Sequence, residues 1–471
     1  MLRKLISKYG LATHLALLAA VPAALAQFLD ARSIGVALLW LTFFAAIWLF
    51  AEPSIRPGEH LSLARARVFS SAVRDPAVWF FLVVALVAFL RWMNSGVDMV
   101  YNAEASSWSV SSAKVTFFPA SSGDAGFLPF AVALSLPVLV CGVSHGLGYS
   151  GRVWFGFFAS VVAAVGGLSA AVCVDCELPE FVKAATSGFA DAPFSGSQFV
   201  PWLFCAIAAG VHAESLKWRG VHALSCLAVT GNAAALLMFS PPLMAVAGLV
   251  IAVFFAMFCL GWLGRGVSTG AAARSFVFIA FGSIVSVFVL VTFVPDAVRA
   301  AKVAALDPSV AFPESWMDTS AALSRIAKAM WLEDPWCGIG VGAFHLKAPF
   351  LVQSGEWAVL PPVPTHALNG FWMLLSERGV LGAAMVATGL LLLVVTYVRR
   401  FVSAWSAAKS EDGESFLLSC PPVVWAVVLA IAFAAAETAV SSLFSSSTVM
   451  MPFVALLSLA AAAFPRHREG H

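Results

Sequence analysis

Residues 319–382 read TSAALSRIAKAMWLEDPWCGIGVGAFHLKAPFLVQSGEWAVLPPVPTHALNGFWMLLSERGVLG. This is the most polar long interval in an otherwise apolar chain, and hydrophobic runs of helix length stand on either side of it. The contrast decides the fold. The flanks read as membrane-spanning helices, and the interval reads as the segment they hold at a membrane surface. It also contains the best candidates for chemistry, Arg325 and His366.

Of the 471 residues, 61% are hydrophobic and 11% are charged, and the mean hydropathy is +0.91. Soluble domains carry about 25% charged residues, so lipid must be the solvent for much of this surface. The expected fold class is an all-α polytopic membrane protein. A transmembrane barrel does not fit, because barrel strands alternate apolar and polar residues and these runs are apolar all round. The net charge of +2 carries no nucleic-acid signal, and eight cysteines in so long a chain are not a disulfide scaffold.

A spanning helix needs about 20 apolar residues, and by that rule the chain holds about 12 candidates. They lie near residues 11–28, 34–51, 77–94, 126–144, 153–172, 197–212, 220–239, 242–262, 275–294, 379–398, 421–440 and 449–465. With the N-terminus inside, the inner connections collect Arg3, Lys4, Lys8, Arg56, Arg65, Arg67, Arg74, Arg152, Lys217, Arg219, Arg265, Arg274, Arg399, Arg400, Lys409, Arg466 and Arg468. The short outer loops keep Arg32, Arg91, Lys114 and Lys183. Basic residues concentrate on cytoplasmic connections, so both termini are expected in the cytoplasm. The organisation expected is helices one to nine over 1–294, a large periplasmic loop with short helices over 295–378, and helices ten to twelve over 379–471. Residues 1–27 also resemble a secretory signal, with Ala-Leu-Ala before Gln27, and read as an uncleaved first helix because many helices follow.

Histidine placement narrows the search for chemistry. His60, His145, His467 and His471 fall on inner segments, and His14, His212 and His222 near inner helix ends; His345 and His366 face outward. A histidine neutral near pH 7 can accept a proton or position a hydroxyl, or it can simply pack at a surface. Arg325 is spaced for a helix face with Ala321, Ile326, Ala329 and Met330, and its planar donor fork suits a phosphate. Asp334-Pro335 followed by Gly338, Gly340 and Gly342 either lets backbone approach a ligand or forms a plain turn. Cys173 and Cys176 have redox or metal spacing with no nearby outer partner, and Glu437 is an acid near the outer end of helix eleven. No internal repeat, coiled coil, P-loop or dinucleotide motif is present.

Taken together, Ser324-Arg325, Trp331, Asp334-Pro335, Gly338-Ile-Gly-Val-Gly-Ala-Phe344, His366 with Asn369, then Glu377 and Gly379 to Gly382 resemble the signature of the O-antigen ligase and polymerase superfamily. Phe194 to Leu203 is a weaker echo of that family's middle helices. The resemblance implies a bacterial inner-membrane glycosyltransferase. Such an enzyme moves a glycan from an undecaprenyl-diphosphate carrier to a lipid A core sugar, a growing polysaccharide or a protein hydroxyl, without metal or other cofactor. It implies that His366 activates or positions the acceptor, that Arg325 stabilises the pyrophosphate, and that Glu377 orients His366 or caps a short helix. Arg91, Lys347, Gly338, Gly340, Gly342, His345 and Asn369 are the expected substrate-binding positions. One departure stands out: the family's arginine after a serine is absent at Phe239-Ser240-Pro241-Pro242, leaving Arg91, Lys347 and Arg299 as outward substitutes. The alternatives are a twelve-helix secondary transporter and a catalytically altered family member.

Overall fold

A computed structural model of the chain describes residues 2–25, 31–56, 58–102, 107–111, 120–175, 198–215, 218–239, 248–253, 314–353, 369–411 and 450–463, with 255–256, 355, 360, 367 and 428–430. The described chain is mostly helical. Its helices are α1 (Leu2–Leu25), α2 (Ala31–Ala51), α3 (Leu61–Val73), α4 (Pro76–Met93), α5 (Phe127–Cys141), α6 (Tyr149–Asp175), α7 (Phe199–Ser215) and α8 (Arg219–Phe239). The second part of the chain adds α9 (Glu314–Glu333), α10 (Phe344–Leu351), α11 (Gly370–Glu411) and α12 (Met450–Ala463). Among the described residues, five helices are long and apolar enough to cross a membrane: Ala31–Ala51, Pro76–Met93, Phe127–Gly146, Ser150–Ser169 and Arg219–Leu237. Helices also stand where spans were expected near 11–28, 197–212, 379–398 and 449–465. The expected span near 275–294 lies outside the described residues, and those near 242–262 and 421–440 are described only in short pieces.

The surface pattern is that of a protein solvated by lipid. Trp40, Phe43, Phe44 and Ile47 of α2 are exposed, as are Trp79, Leu82, Val83 and Leu86 of α4. An apolar face of that size would be a liability in water. The interior is apolar too, around Leu15, Leu38, Leu139, Phe155, Trp202 and Phe204. Hydrophobic contrast therefore cannot drive these helices together, and close packing at small residues takes over. Gly231 lies against Ala164 and Gly167 against Ala235 and Phe199, so that a Cβ on either would approach its neighbour to within 3 Å. Through these contacts α6 packs on α7 and α8, while its other neighbour is α1; α5 bridges α2 and α4.

The corner before α4 shows how a polar group is kept in such a setting. Asp75 is the N-cap: its Oδ1 accepts the Ala77 N–H at 3.0 Å, with Pro76 in the first turn. Its Oδ2 lies 2.9 Å from His145 Nε2, and both side chains are buried. His145 belongs to a π turn, Gly142–Gly146, at the end of α5.

Two elements differ from the sequence reading. The all-α expectation meets a small antiparallel hairpin, β1 (Met99–Asn102) and β2 (Ser107–Val110), in register Met99 with Val110 and Tyr101 with Trp108. Valine and aromatic residues favour strand over helix there. Helix α3 was not expected, because 13 residues are too few to span. It buries Ala64 and Val68, and its Arg65 donates to the carbonyls of Phe50 and Ala51 at the end of α2.

Candidate active site

The site is built on a break in a helix. At Gly379, φ is 63° and ψ is −174°, so α11 is two helices end to end. A break frees backbone carbonyls on one side and N–H groups on the other, and burying them unpaired would be costly. The segment from Pro335 to Gly340 takes up both sets. The Ile339 N–H donates to Ser376 O at 2.9 Å and the Gly340 N–H to Glu377 O at 3.2 Å. In return, Pro335 O accepts the Val380 N–H at 2.8 Å and Trp336 O accepts the Leu381 N–H at 3.1 Å.

This exchange requires backbone to lie on backbone. Gly338 has φ of 72°, and a Cβ there would stand 2.5 Å from Glu377 C and 2.6 Å from Gly379 N. A Cβ on Gly379 would collide with Trp336 O. The loop then continues toward the end of α4. The Val341 N–H donates to Ala120 O at 2.9 Å, and Val341 O accepts the Ser122 N–H at 2.9 Å. Ser122 Oγ donates to Gly342 O, and Ser121 Oγ to Arg91 O at 3.0 Å. Gly340 and Gly342, with φ of 107° and 76°, complete the path beside Ala120 and Ala125. Four stretches distant in sequence thus form one clasp: the end of α4, residues 120–122, the glycine loop, and the break in α11.

Charged groups collect beneath it. Glu377 is buried, and its Oε1 accepts the Gly342 N–H at 2.8 Å. The Phe344 N–H at the start of α10 also donates to it, so the carboxylate closes the short helix's N-terminus. Burial pushes Glu377 up to about 7, against the pull of Arg378, the Gly342 N–H, Arg91 and the Phe344 N–H. Arg91, in the last turn of α4, is only 6% exposed and interacts electrostatically with Arg378, Glu377 and Cys337. Loss of solvation pulls Arg378 below the usual arginine range, with Glu377 opposing.

The remaining expected residues are spread around this clasp. Asn369 caps α11, its Oδ1 accepting the N–H groups of Phe371 and Trp372 at 3.1 and 3.2 Å. Lys347 pairs with Glu333 at 2.7 Å across α10 and α9, an exposed contact of at most about 1 kcal/mol. His345 is exposed on α10. Arg325 is exposed on α9, off the face where Ala322, Leu323, Ile326 and Met330 are buried, so the structure separates it from Ile326 and Met330. His366, Cys176, Arg299, Glu437 and residues 240–242 lie outside the described residues. Ala367, which follows His366, is fully buried in the cluster that holds Ile339, Ala343, Phe344 and Met373. Among the described residues, no group of three or more His, Cys, Asp or Glu side chains is placed to hold a metal.

Arg378 was not singled out from the sequence, although it stands inside the quoted stretch between Glu377 and Gly379. The signal for it was its neighbour: a charge beside a glycine at the edge of an apolar run. No protein-family model matches the chain, and a search of curated proteins returns no match.

Two outcomes follow from the clasp. Gly338→Ala places a Cβ against Glu377 and Arg378 backbone at positive φ, so it should destabilise the protein by at least about 2 kcal/mol in thermal unfolding. Gly220→Ala, where a Cβ meets nothing within 4 Å, should be near neutral. The second outcome concerns pH. Glu377 holds its proton to about pH 7 when folded and to about 4.5 in its ordinary state, so the folded state binds more protons between those values. Stability should fall as pH rises from 4.5 to 7, by on the order of 3 kcal/mol. Glu377→Gln, measured in the same unfolding series, should lose that slope.

Proposed function

We propose that this chain is a lipid-carrier-dependent membrane glycosyltransferase of the O-antigen ligase or polymerase type. The observation that carries the reading is the clasp itself. Gly338 to Gly342 and Glu377 to Gly382, two parts of the stretch that resembles the family, are hydrogen-bonded to one another and bring Arg91 beneath them. On this reading the clasp faces the periplasm at the outer leaflet of a bacterial inner membrane, both termini are cytoplasmic, and the chain has about 12 spans.

The reaction transfers a glycan from undecaprenyl diphosphate to an acceptor hydroxyl on a lipid A core sugar, a growing polysaccharide or a protein. The hydroxyl oxygen bonds to the sugar's anomeric carbon as the bond from that carbon to the diphosphate oxygen breaks. The electron pair stays on the diphosphate. His366 takes the hydroxyl proton or aligns the hydroxyl, and Arg325 approaches the diphosphate from the exposed side of α9. Arg91 supplies the buried cation in place of the arginine absent near Ser240. Charge that develops on a leaving diphosphate is stabilised by donors already in position, each commonly contributing about 3 kcal/mol to the barrier. Glu377 acts through its hydrogen bonds to Gly342 and Phe344, holding the loop rather than touching substrate.

A second reading, secondary transport, is favoured by the buried Asp75–His145 pair at the end of a membrane-length helix, since ionisable groups in such places often serve ion movement. Replacement of His366 or Arg325 by Ala, followed by analysis of surface glycans, separates the two. Glycan transfer should fall by at least about 100-fold in either variant. Normal transfer in both, with substrate uptake by the reconstituted protein, would favour transport.

A further inference from the structure

We propose that α3 is an interfacial helix: its outward side rests among the lipids of the bilayer that α2 and α4 cross, and the arginines around it bind anionic headgroups there. The proposal goes beyond the choice between glycan transfer and transport, and depends on neither.

Two ties fix the depth of α3. Near its start, the Arg65 guanidinium donates to Phe50 O at 2.6 Å and to Ala51 O at 3.2 Å, closing carbonyls that the end of a membrane-length helix leaves open. At its end, Val73 O accepts the Trp79 indole N–H at 2.7 Å. Trp79 stands in the first turn of α4, a second membrane-length helix, and is 54% exposed. A tryptophan so placed marks the headgroup level, where its apolar body and its polar N–H are both accommodated. Helix α3 is therefore held level with the ends of two spans.

The side it turns away from the protein is apolar. Ala64 and Val68 are buried where α3 packs on α4 and the π turn. Leu63, Phe69 and Val73, which are 60%, 61% and 46% exposed, share roughly 120° of the opposite circumference. Ser62 and Ser70 lie in the same arc, and both are exposed. Such an arc is a liability in water and too polar for the hydrocarbon centre, and it suits the boundary between headgroups and acyl chains.

Charge selects the lipid. Between residues 52 and 75, Glu59 is paired with Arg67 at 2.9 Å, and Asp75 is buried as the cap of α4. The exposed charges that remain are Arg56, Arg65 and Arg74 against Glu52. An excess of arginine at this level attracts anionic headgroups.

The test places p-benzoylphenylalanine at Phe69 of the full-length protein. The protein is irradiated in vesicles of phosphatidylcholine and phosphatidylglycerol in equal parts, and mass spectrometry identifies what the probe captures. Phospholipid adducts are expected, with phosphatidylglycerol captured at least about twofold more often than phosphatidylcholine. The same probe at Leu63 should behave alike, so that loss of the Phe69 ring does not decide the result. Arg56→Gln combined with Arg74→Gln should bring the two lipids to parity. Arg32→Gln, at the start of α2, should leave the preference unchanged. Capture of a second copy of the chain, capture of another segment of the same chain, or no capture at all overturns the interfacial placement. Equal capture of the two lipids by the parent overturns the headgroup site. The double glutamine variant should unfold at the parent's temperature; a lower midpoint together with lost preference means a structural role and overturns the headgroup site as well.

Discussion

The polar half of this molecule depends on one exchange of backbone hydrogen bonds. A helix broken at Gly379 leaves carbonyls and N–H groups that neither lipid nor packed side chains can satisfy. The Pro335–Gly340 segment answers from both sides of the break, and can do so only because Gly338 and Gly379 have no side chains. Once the loop is there, its next residues reach Ala120 and Ser122, and through Ser121 the carbonyl of Arg91. The position of the buried charges is thus a consequence of where backbone had to be paired.

The charges make the site unusual. Arg91, Glu377 and Arg378 come from two helices and interact where Arg91 and Glu377 are buried and Arg378 is half-buried. Glu377 has its carboxylate committed to the start of α10. What remains is an excess of positive charge at one end of an apolar bundle. Stability alone would favour replacing such a group with hydrophobic side chains, and under the proposed transfer function Arg91 is the cation this cluster supplies.

Much of the bundle was legible in the sequence, since hydropathy over a helix length is a strong and local signal. The positions of α2, α4, α5, α6 and α8 follow from it directly. The hairpin and α3 escaped because both are too short to register at that length. The break at Gly379 escaped for a different reason: the polar Ser376-Glu377-Arg378 reads as the end of a loop and Gly379 as the start of a span, and a glycine at such an edge does not reveal a φ of 63° inside a continuing helix. The link from Glu377 to Gly342 spans 35 residues and arises from tertiary packing, so no periodicity could show it. Arg91 was picked out as an outward substitute for the arginine absent near Ser240, and Arg378 was passed over because its neighbours drew attention first. The polar stretch was readable as a site, but the partners that α4 and residues 120–122 bring to it were not.

The central claim is that Arg91 and Glu377 share one buried cluster under the clasp. A double-mutant cycle in thermal unfolding tests it most directly, comparing Arg91→Gln, Glu377→Gln and the double variant. The account expects the two substitutions to be coupled by about 1 kcal/mol or more, as for charges in contact through one network. Additive effects, within the few tenths of a kcal/mol typical of distant and independent sites, would contradict it.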